Sequence, residues 1–160
     1  MKKNLEIYEI APEIEALRMG MGFSKEDLKK PYVMIESTYG DSHPGSCGLD
    51  KPADIISETL YKDEITSGKF FSTDICDGIA QGHEGMNYSL PSREIIAALG
   101  EIHFRANPCE GAVFISSCDK AIPAHLLALS RIDKPALLLP GGVMREGRNK
   151  MTLEQVGKYN

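Results

Sequence analysis

The chain has no tryptophan, only 7% aromatic residues of any kind, and four cysteines among 160 residues. None of those cysteines forms a C-x-x-C pair, so a zinc-finger type site has no support. No run approaches the roughly 18 consecutive apolar residues of a membrane span. The opening stretch, MKKNLEIYEIAPEIEALR, places acidic residues every few positions and lacks the continuous apolar segment of a secretory signal. A cytoplasmic protein is expected, with cysteines 47, 76, 109 and 118 reduced. They then serve as thiols or metal ligands, not as a disulfide framework. Positive charge is in deficit: the net charge is −5, which excludes a bulk pull toward nucleic acid or anionic membrane. The basic pairs Lys2-Lys3 and Lys29-Lys30 read as solvated faces. Gly141-Gly142 follows a strand-like run, yet neither G-x-G-x-x-G nor a Walker pattern is present, so nucleotide binding has no support. There is no repeat and no low-complexity segment.

What remains is ordinary globular composition, 42% hydrophobic and 26% charged, in a length suited to about one domain. Such a chain buries a core without disulfides or structural metal. Residues 12–19 carry Ile14, Leu17 and Met19 at helical spacing, and Ser24 begins an S-K-E-D helix start. Strands are predicted over 33–37, 70–75, 112–117 and 135–140, the last continuous and apolar as a buried parallel strand should be. Helices are predicted over 52–62, with Ile55, Ile56, Thr59 and Leu60 on one side, from Ser89 to about Asn107, and over 121–131, with Leu126, Leu127 and Leu129. Residues 78–88, with three glycines, read as a long loop. The alternation predicts a layered α/β fold, a mostly parallel sheet flanked by helices. Thr152-Leu-Glu-Gln155 is a capping-box pattern, so a helix is expected to begin at Thr152. Two turns of isolated helix are marginal. The pattern therefore fits either a short terminal helix or a longer polypeptide.

The strongest internal feature is a repeated dipeptide. Cys76-Asp77-Gly78 follows FFSTDI, and Cys118-Asp119-Lys120 follows AVFISS. Both lie where a strand gives way to a loop or helix. In open parallel sheets ligands bind beyond the carboxyl ends of strands, so two such ends side by side would gather two thiols and two carboxylates. Thiolates suit iron–sulfur clusters or zinc, and carboxylates suit Mg²⁺ or Mn²⁺. Neighbours in extended chain point to opposite sides, so each Cys-Asp pair can serve a soft centre and a hard cation at once. The competing reading makes each cysteine a small buried hydrophobe and each aspartate a helix cap.

The stretches ICDGIAQGHEGMNYSLPSRE (75–94), SSCDKAIPAHLLALSRIDKPALLLPGG (116–142) and GFSKEDLKKPYVMIESTYGD (22–41) resemble the dihydroxy-acid dehydratase / 6-phosphogluconate dehydratase family. The resemblance covers nearly the whole chain, with its motifs in order. It implies that residues 1–160 are the amino-terminal α/β domain of a longer hydro-lyase, with a carboxyl-terminal domain lying beyond them. It implies an iron–sulfur cluster (2Fe-2S or 4Fe-4S) and Mg²⁺ as cofactors. Cys118 matches a cluster ligand, and Cys76 matches the cluster cysteine of the sugar-acid branch. Asp77 and Asp119 match Mg²⁺ ligands, and Lys120 matches a lysine that some members carry as a Mg²⁺-binding carbamate. One departure concerns the first loop, Asp41-Ser-His-Pro44-Gly45-Ser46-Cys47. The dihydroxy-acid branch usually has a cluster cysteine directly after the proline, where this chain has Gly45. Cys47 is either a displaced substitute or a bystander. A further cluster ligand, a Mg²⁺-binding glutamate and the serine proposed as base lie beyond residue 160 in the family. The expected reaction converts a small hydroxy-acid substrate, a 2,3-dihydroxy or sugar acid, to a 2-keto acid.

Lys120, His43 and His83 are the candidate catalytic residues of the chain itself, the two histidines as loop groups able to touch substrate or move a proton. Their plain alternative is a loop histidine bonded to backbone. His103 and His125 fall in helical patterns and read as structural, and Cys109 as a packing residue. Ser89 and Ser92 read as caps, and Arg93 as either surface or an anion contact. The expected partners are the carboxyl-terminal domain or subunit and, through the apolar face that it would cover, a second copy of the chain. Two other readings stand beside the dehydratase. One is an inactive fragment that binds metal or a partner; the other is a redox or iron-sensing module built on the same thiols.

Overall fold

The computed structural model describes residues 4–156. The Lys2-Lys3 pair lies outside them, as does the last part of the helix expected from Thr152. Two short helices, α1 (Asn4–Ile10) and α2 (Glu13–Gly20), precede the first strand. The remainder alternates strand and helix: β1 (Tyr32–Ser37), α3 (Asp50–Lys62), β2 (Thr66–Phe71), α4 (Asp77–Ala80), α5 (Ser89–Ala106), β3 (Gly111–Ser116), α6 (Ala121–Ile132), β4 (Ala136–Pro140) and α7 (Leu153–Val156). The strands form one parallel sheet in the order β2-β1-β3-β4. The fold is a layered α/β fold.

The central strands YVMIES and GAVFIS are buried along nearly their whole length, which is why their sequences are apolar on both faces. One face packs Tyr32, Met34 and Phe114 against Phe104 of α5 and Ala128 and Ile132 of α6. The other packs Ile35 and Ile115 against Leu49, just before α3, and Ala53 of α3. From β1 the chain runs outward to β2, and from β3 outward to β4. The connections diverge there and leave a crevice between the carboxyl ends of β1 and β3. No helix among the described residues is long and apolar enough to cross a membrane.

Several local expectations are corrected. The second strand lies at Thr66–Phe71, not 70–75. Its polar TSGK half pairs with β1 through the backbone, Tyr32 opposite Thr66 and Met34 opposite Gly68. Gly68 is required because the Tyr32 ring crosses the space a side chain there would fill. Residues 78–88 hold the end of α4 and a 3-10 turn (Glu84–Tyr88) where a loop was predicted. Ser24 opens only a 3-10 turn, Asp27–Lys29, in which Ser24 and Asp27 cap one another reciprocally. In α2 the apolar stripe is not the buried one: Leu17 is 70% exposed, while Arg18 is buried with its guanidinium 3.9 Å over the Tyr32 ring. Ile55 of α3 and Leu126 of α6 face outward. Thr152 N–H donates to Gln155 Oε1 at 3.0 Å, half of the expected capping box, at the start of α7.

Candidate metal centre

Three stretches leave the carboxyl ends of β1, β2 and β3 and meet above the crevice. The loop 38–49 after β1 is stiffened by its own hydroxyls, Ser46 Oγ donating to Gly40 O at 2.7 Å. Ser117 Oγ, after β3, donates to Gly45 O at 2.6 Å and ties that loop to the next strand. Beyond β2, residues 72–76 carry Asp74 beneath the loop. The turn after β3 places Cys118 at φ +71, a left-handed conformation that costs a non-glycine residue roughly 1–3 kcal/mol. Strain of that size is typical of sites where side-chain placement is over-determined by the surroundings.

These stretches bring the ligand atoms of His43, Cys76 and Cys118 within 4.8 Å of one another. His43 is fixed on both nitrogens. Nδ1 accepts from Gly45 N–H at 3.0 Å, which leaves the ring proton on Nε2, 2.8 Å from Asp74 Oδ1. The two side chains are only 3% and 1% exposed, and the second Asp74 oxygen, Oδ2, has no partner among the described residues. Burial pushes the Asp74 carboxyl above the usual carboxylate range, against the opposing pull of His43. Burial likewise raises the Cys118 thiol. A bound cation would reverse that, since coordination deprotonates a thiol.

A charged half adjoins the thiols. Lys120 Nζ donates to Asp119 Oδ2 at 2.6 Å and to Asp77 Oδ2 at 2.7 Å, so one ammonium bridges the two carboxylates that follow the two cysteines. Ser89 Oγ, buried at the start of α5, donates to Asp77 Oδ1 at 2.6 Å. Lys120 first and Ser89 second hold the Asp77 carboxyl below its usual range, and Asp119 and then Asp77 hold Lys120 above its own. Two thiols with an imidazole form a soft donor set that fits an iron–sulfur cluster. The two carboxylates converging on one positive charge fit a hard cation. Over the thiols opens a cavity of about 1090 Å³, lined by His43, Cys76, Cys118 and, on its far side, residues 141–156. A smaller one of about 450 Å³, beside Asp27, Tyr61 and Thr66, lies at the opposite end of the strands.

The other candidates lie apart. Cys47 is exposed, its thiol turned to Pro44 O at 3.7 Å. His83 is exposed, with Nδ1 accepting from Gly85 N–H and Nε2 against Ile79 O. Arg93 pairs with its neighbour Glu94. Cys109 is fully buried, and burial pushes its thiol up to about 12. His103 Nδ1 lies 3.0 Å from Glu36 Oε2, and its ring stacks on Phe70. His125 is buried against Phe114. Sequence reasoning missed Asp74. A carboxylate in the otherwise uncharged run FFSTDI was the available signal, absorbed there into a predicted strand.

Residues 30–160 match the family model described as "Dihydroxy-acid/6-phosphogluconate dehydratase N-terminal". The chain belongs to the dihydroxy-acid/6-phosphogluconate dehydratase family. It is 43% identical over 142 residues to the dihydroxy-acid dehydratase of Pyrococcus abyssi, covering 89% of this chain and 26% of that protein. It is 41% identical over 132 residues to that of Halothermothrix orenii, covering 82% and 24%. Dihydroxy-acid dehydratase 1 of Methanosarcina acetivorans is 38% identical over 132 residues, again 82% and 24%. The chain thus spans about a quarter of the length of these curated relatives. Of the positions the family resemblance implied, Cys76, Cys118, Asp77, Asp119 and Lys120 lie together at the crevice, and Cys47 does not.

Proposed function

We propose that this chain is the amino-terminal α/β domain of a hydro-lyase that dehydrates a 2,3-dihydroxy acid or sugar acid to a 2-keto acid. The carrying observation is the convergence, in a member of this family, of two thiols with two carboxylates beyond the carboxyl ends of β2 and β3, the strands on either side of β1. The reaction removes the proton from C2 and the hydroxyl from C3 as one molecule of water, and the resulting enol tautomerises to the keto acid. An iron–sulfur cluster on Cys76 and Cys118 would supply a Lewis acid, and Mg²⁺ on Asp77 and Asp119 a positive charge for the developing enolate.

The residues of the chain prepare that site. Ser89 and Lys120 orient Asp77, and Lys120 draws Asp119 toward the same point. Admitting a divalent ion there requires Lys120 to swing out or to lose its charge, for which a carbamate is one route. The loop bonded through Ser117 and Gly45 forms the floor of the cavity. His83, exposed and outside the cavity that His43 lines, is the weaker of the two histidine candidates. The base for C2, a further Mg²⁺ ligand and a further cluster ligand come from the carboxyl-terminal part of the protein. The exposed Ile79, Tyr88, Leu90 and Leu137 offer apolar surface to that domain or to a second copy of the chain.

Anaerobic reconstitution with iron and sulfide tests the reading. Charge-transfer absorption should form in the 160-residue chain and be lost in Cys118→Ala and Cys76→Ala, but not in Cys47→Ala. Turnover should require the carboxyl-terminal domain added in trans. A cluster indifferent to Cys76 and Cys118 would refute the reading, and 2-keto acid made by the 160-residue chain alone would refute the placing of the C2 base beyond residue 160.

A further inference from the structure

The first loop offers the crevice no thiol. Its position after Pro44 is Gly45, which carries no donor, and its cysteine, Cys47, turns its thiol outward to Pro44 O. A side chain at 45 has no room. A Cβ there would lie 2.7 Å from Ser117 Oγ and 2.9 Å from His43 Cε1, closer than such atoms approach in real proteins. The space is taken by the imidazole of His43. From the geometry we infer that His43 is the first loop's ligand to the metal centre on Cys76 and Cys118, making a mixed imidazole–thiolate site. This inference rests on the proposed cluster at those two cysteines.

Three observations support it independently. A ring nitrogen of His43 shares one 4.8 Å neighbourhood with both thiols. The ring is clamped as metal-bound histidines are: the nitrogen away from the metal donates to a carboxylate, here Nε2–H to Asp74 at 2.8 Å, which fixes tautomer and orientation. Asp74 itself is a carboxylate only 1% exposed, with its Oδ2 unpartnered among the described residues. A buried, incompletely satisfied carboxylate is costly, and a cation held one imidazole away offsets that cost.

The ligating atom is then Nδ1. In the structure it accepts a neutral hydrogen bond from Gly45 N–H at 3.0 Å, the weaker of the two bonds the ring makes. Binding exchanges that bond for the metal and leaves the charge-assisted bond to Asp74 intact. A neutral imidazole in place of a thiolate removes one negative charge from the centre. That would raise the potential of a cluster held there.

The test is pulsed EPR on the full chain, reconstituted anaerobically with iron and sulfide, reduced, and prepared with natural-abundance or ¹⁵N-labelled histidine. A nitrogen coupling of directly bound imidazole should appear and convert to the ¹⁵N pattern on labelling. It should vanish in His43→Ala, together with most of the cluster, and persist in His83→Ala and Cys47→Ala. Added imidazole should restore part of the cluster in His43→Ala, whose fold is checked by far-UV circular dichroism. The labelled wild-type measurement depends on no variant, so misfolding of His43→Ala would leave the inference testable. A cluster that needs Cys76 and Cys118 but shows no bound-imidazole coupling overturns the His43 assignment and leaves the cluster reading standing. A coupling that survives in His43→Ala does the same. Absence of any cluster, or indifference to Cys118→Ala, overturns the cluster reading and the assignment with it.

Discussion

His125 provides a stability prediction whose sign and size follow from its surroundings. It sits on α6, 0% exposed, with its ring tilted 4.9 Å from that of Phe114. Neither ring nitrogen has a hydrogen-bond partner among the described residues. Burial alone pushes its pKa down from 6.5 to about 4. The unfolded chain therefore takes up this proton near pH 6.5 and the folded chain only near 4. Between those values the unfolded state binds more protons, so stability falls as pH falls through the window. The full span is worth about 3 kcal/mol at ~1.4 kcal/mol per pH unit, and about 2 kcal/mol of it is lost by pH 5. His125→Leu removes the titration and the unpaired polar atoms at nearly constant volume. The variant should match or exceed the wild type at pH 7.5, by about 1 kcal/mol, since an unsatisfied buried group is replaced by an apolar one. Urea titrations at pH 7.5 and 5, followed by circular dichroism because the chain lacks tryptophan, measure both. The difference between the two proteins cancels the contributions of other groups, among them Glu36, whose carboxyl burial raises. Parallel losses of stability in wild type and variant would refute the reasoning and show that His125 finds a proton acceptor or solvent in the folded state.

Two further outcomes follow. Phe114→Ala should lower the unfolding free energy by about 3–5 kcal/mol, because the ring is fully enclosed between β3, α5 and α6; an unchanged urea midpoint would contradict this. Ser89→Ala removes the bond that orients Asp77 and should weaken Mn²⁺ binding, followed by the EPR signal of the free ion, by roughly 10-fold, the usual cost of losing a ligand's supporting partner. Unaltered affinity would remove Asp77 from the proposed cation site.

Where local pattern decides an element, the sequence was sufficient. The runs VMIES and AVFIS are apolar on both faces because β1 and β3 are covered on both, and they were legible as strands. The helix of 89–106 was legible from its Ser-Leu-Pro-Ser-Arg-Glu start and that of 121–132 from its leucines, but the cap reading of Ser89 and Ser92 is corrected: Ser89 Oγ donates to Asp77 and Ser92 Oγ to Ser89 O. β2 was not. At the edge of the sheet its polar TSGK half is chosen by backbone pairing with Tyr32–Met34, which no local property of those residues announces. Arg18 was invisible for a similar reason: a buried guanidinium inside an apolar stripe makes sense only once Tyr32, fourteen positions on, lies beneath it.

The same division holds at the site. By itself the sequence determined the donor chemistry, two Cys-Asp pairs each following a strand, and the family to which they belong. Their convergence was decided by the strand order β2-β1-β3-β4, which sets the ends of β1, β2 and β3 beside one another. The pairing of His43 with Asp74, 31 residues apart, and the outward turn of Cys47 were likewise settled in three dimensions. The physical reason is range. Side-chain type and periodicity are local properties of the chain, whereas a metal centre is a set of distances between residues far apart in sequence, and only sheet order, register and loop closure determine those distances.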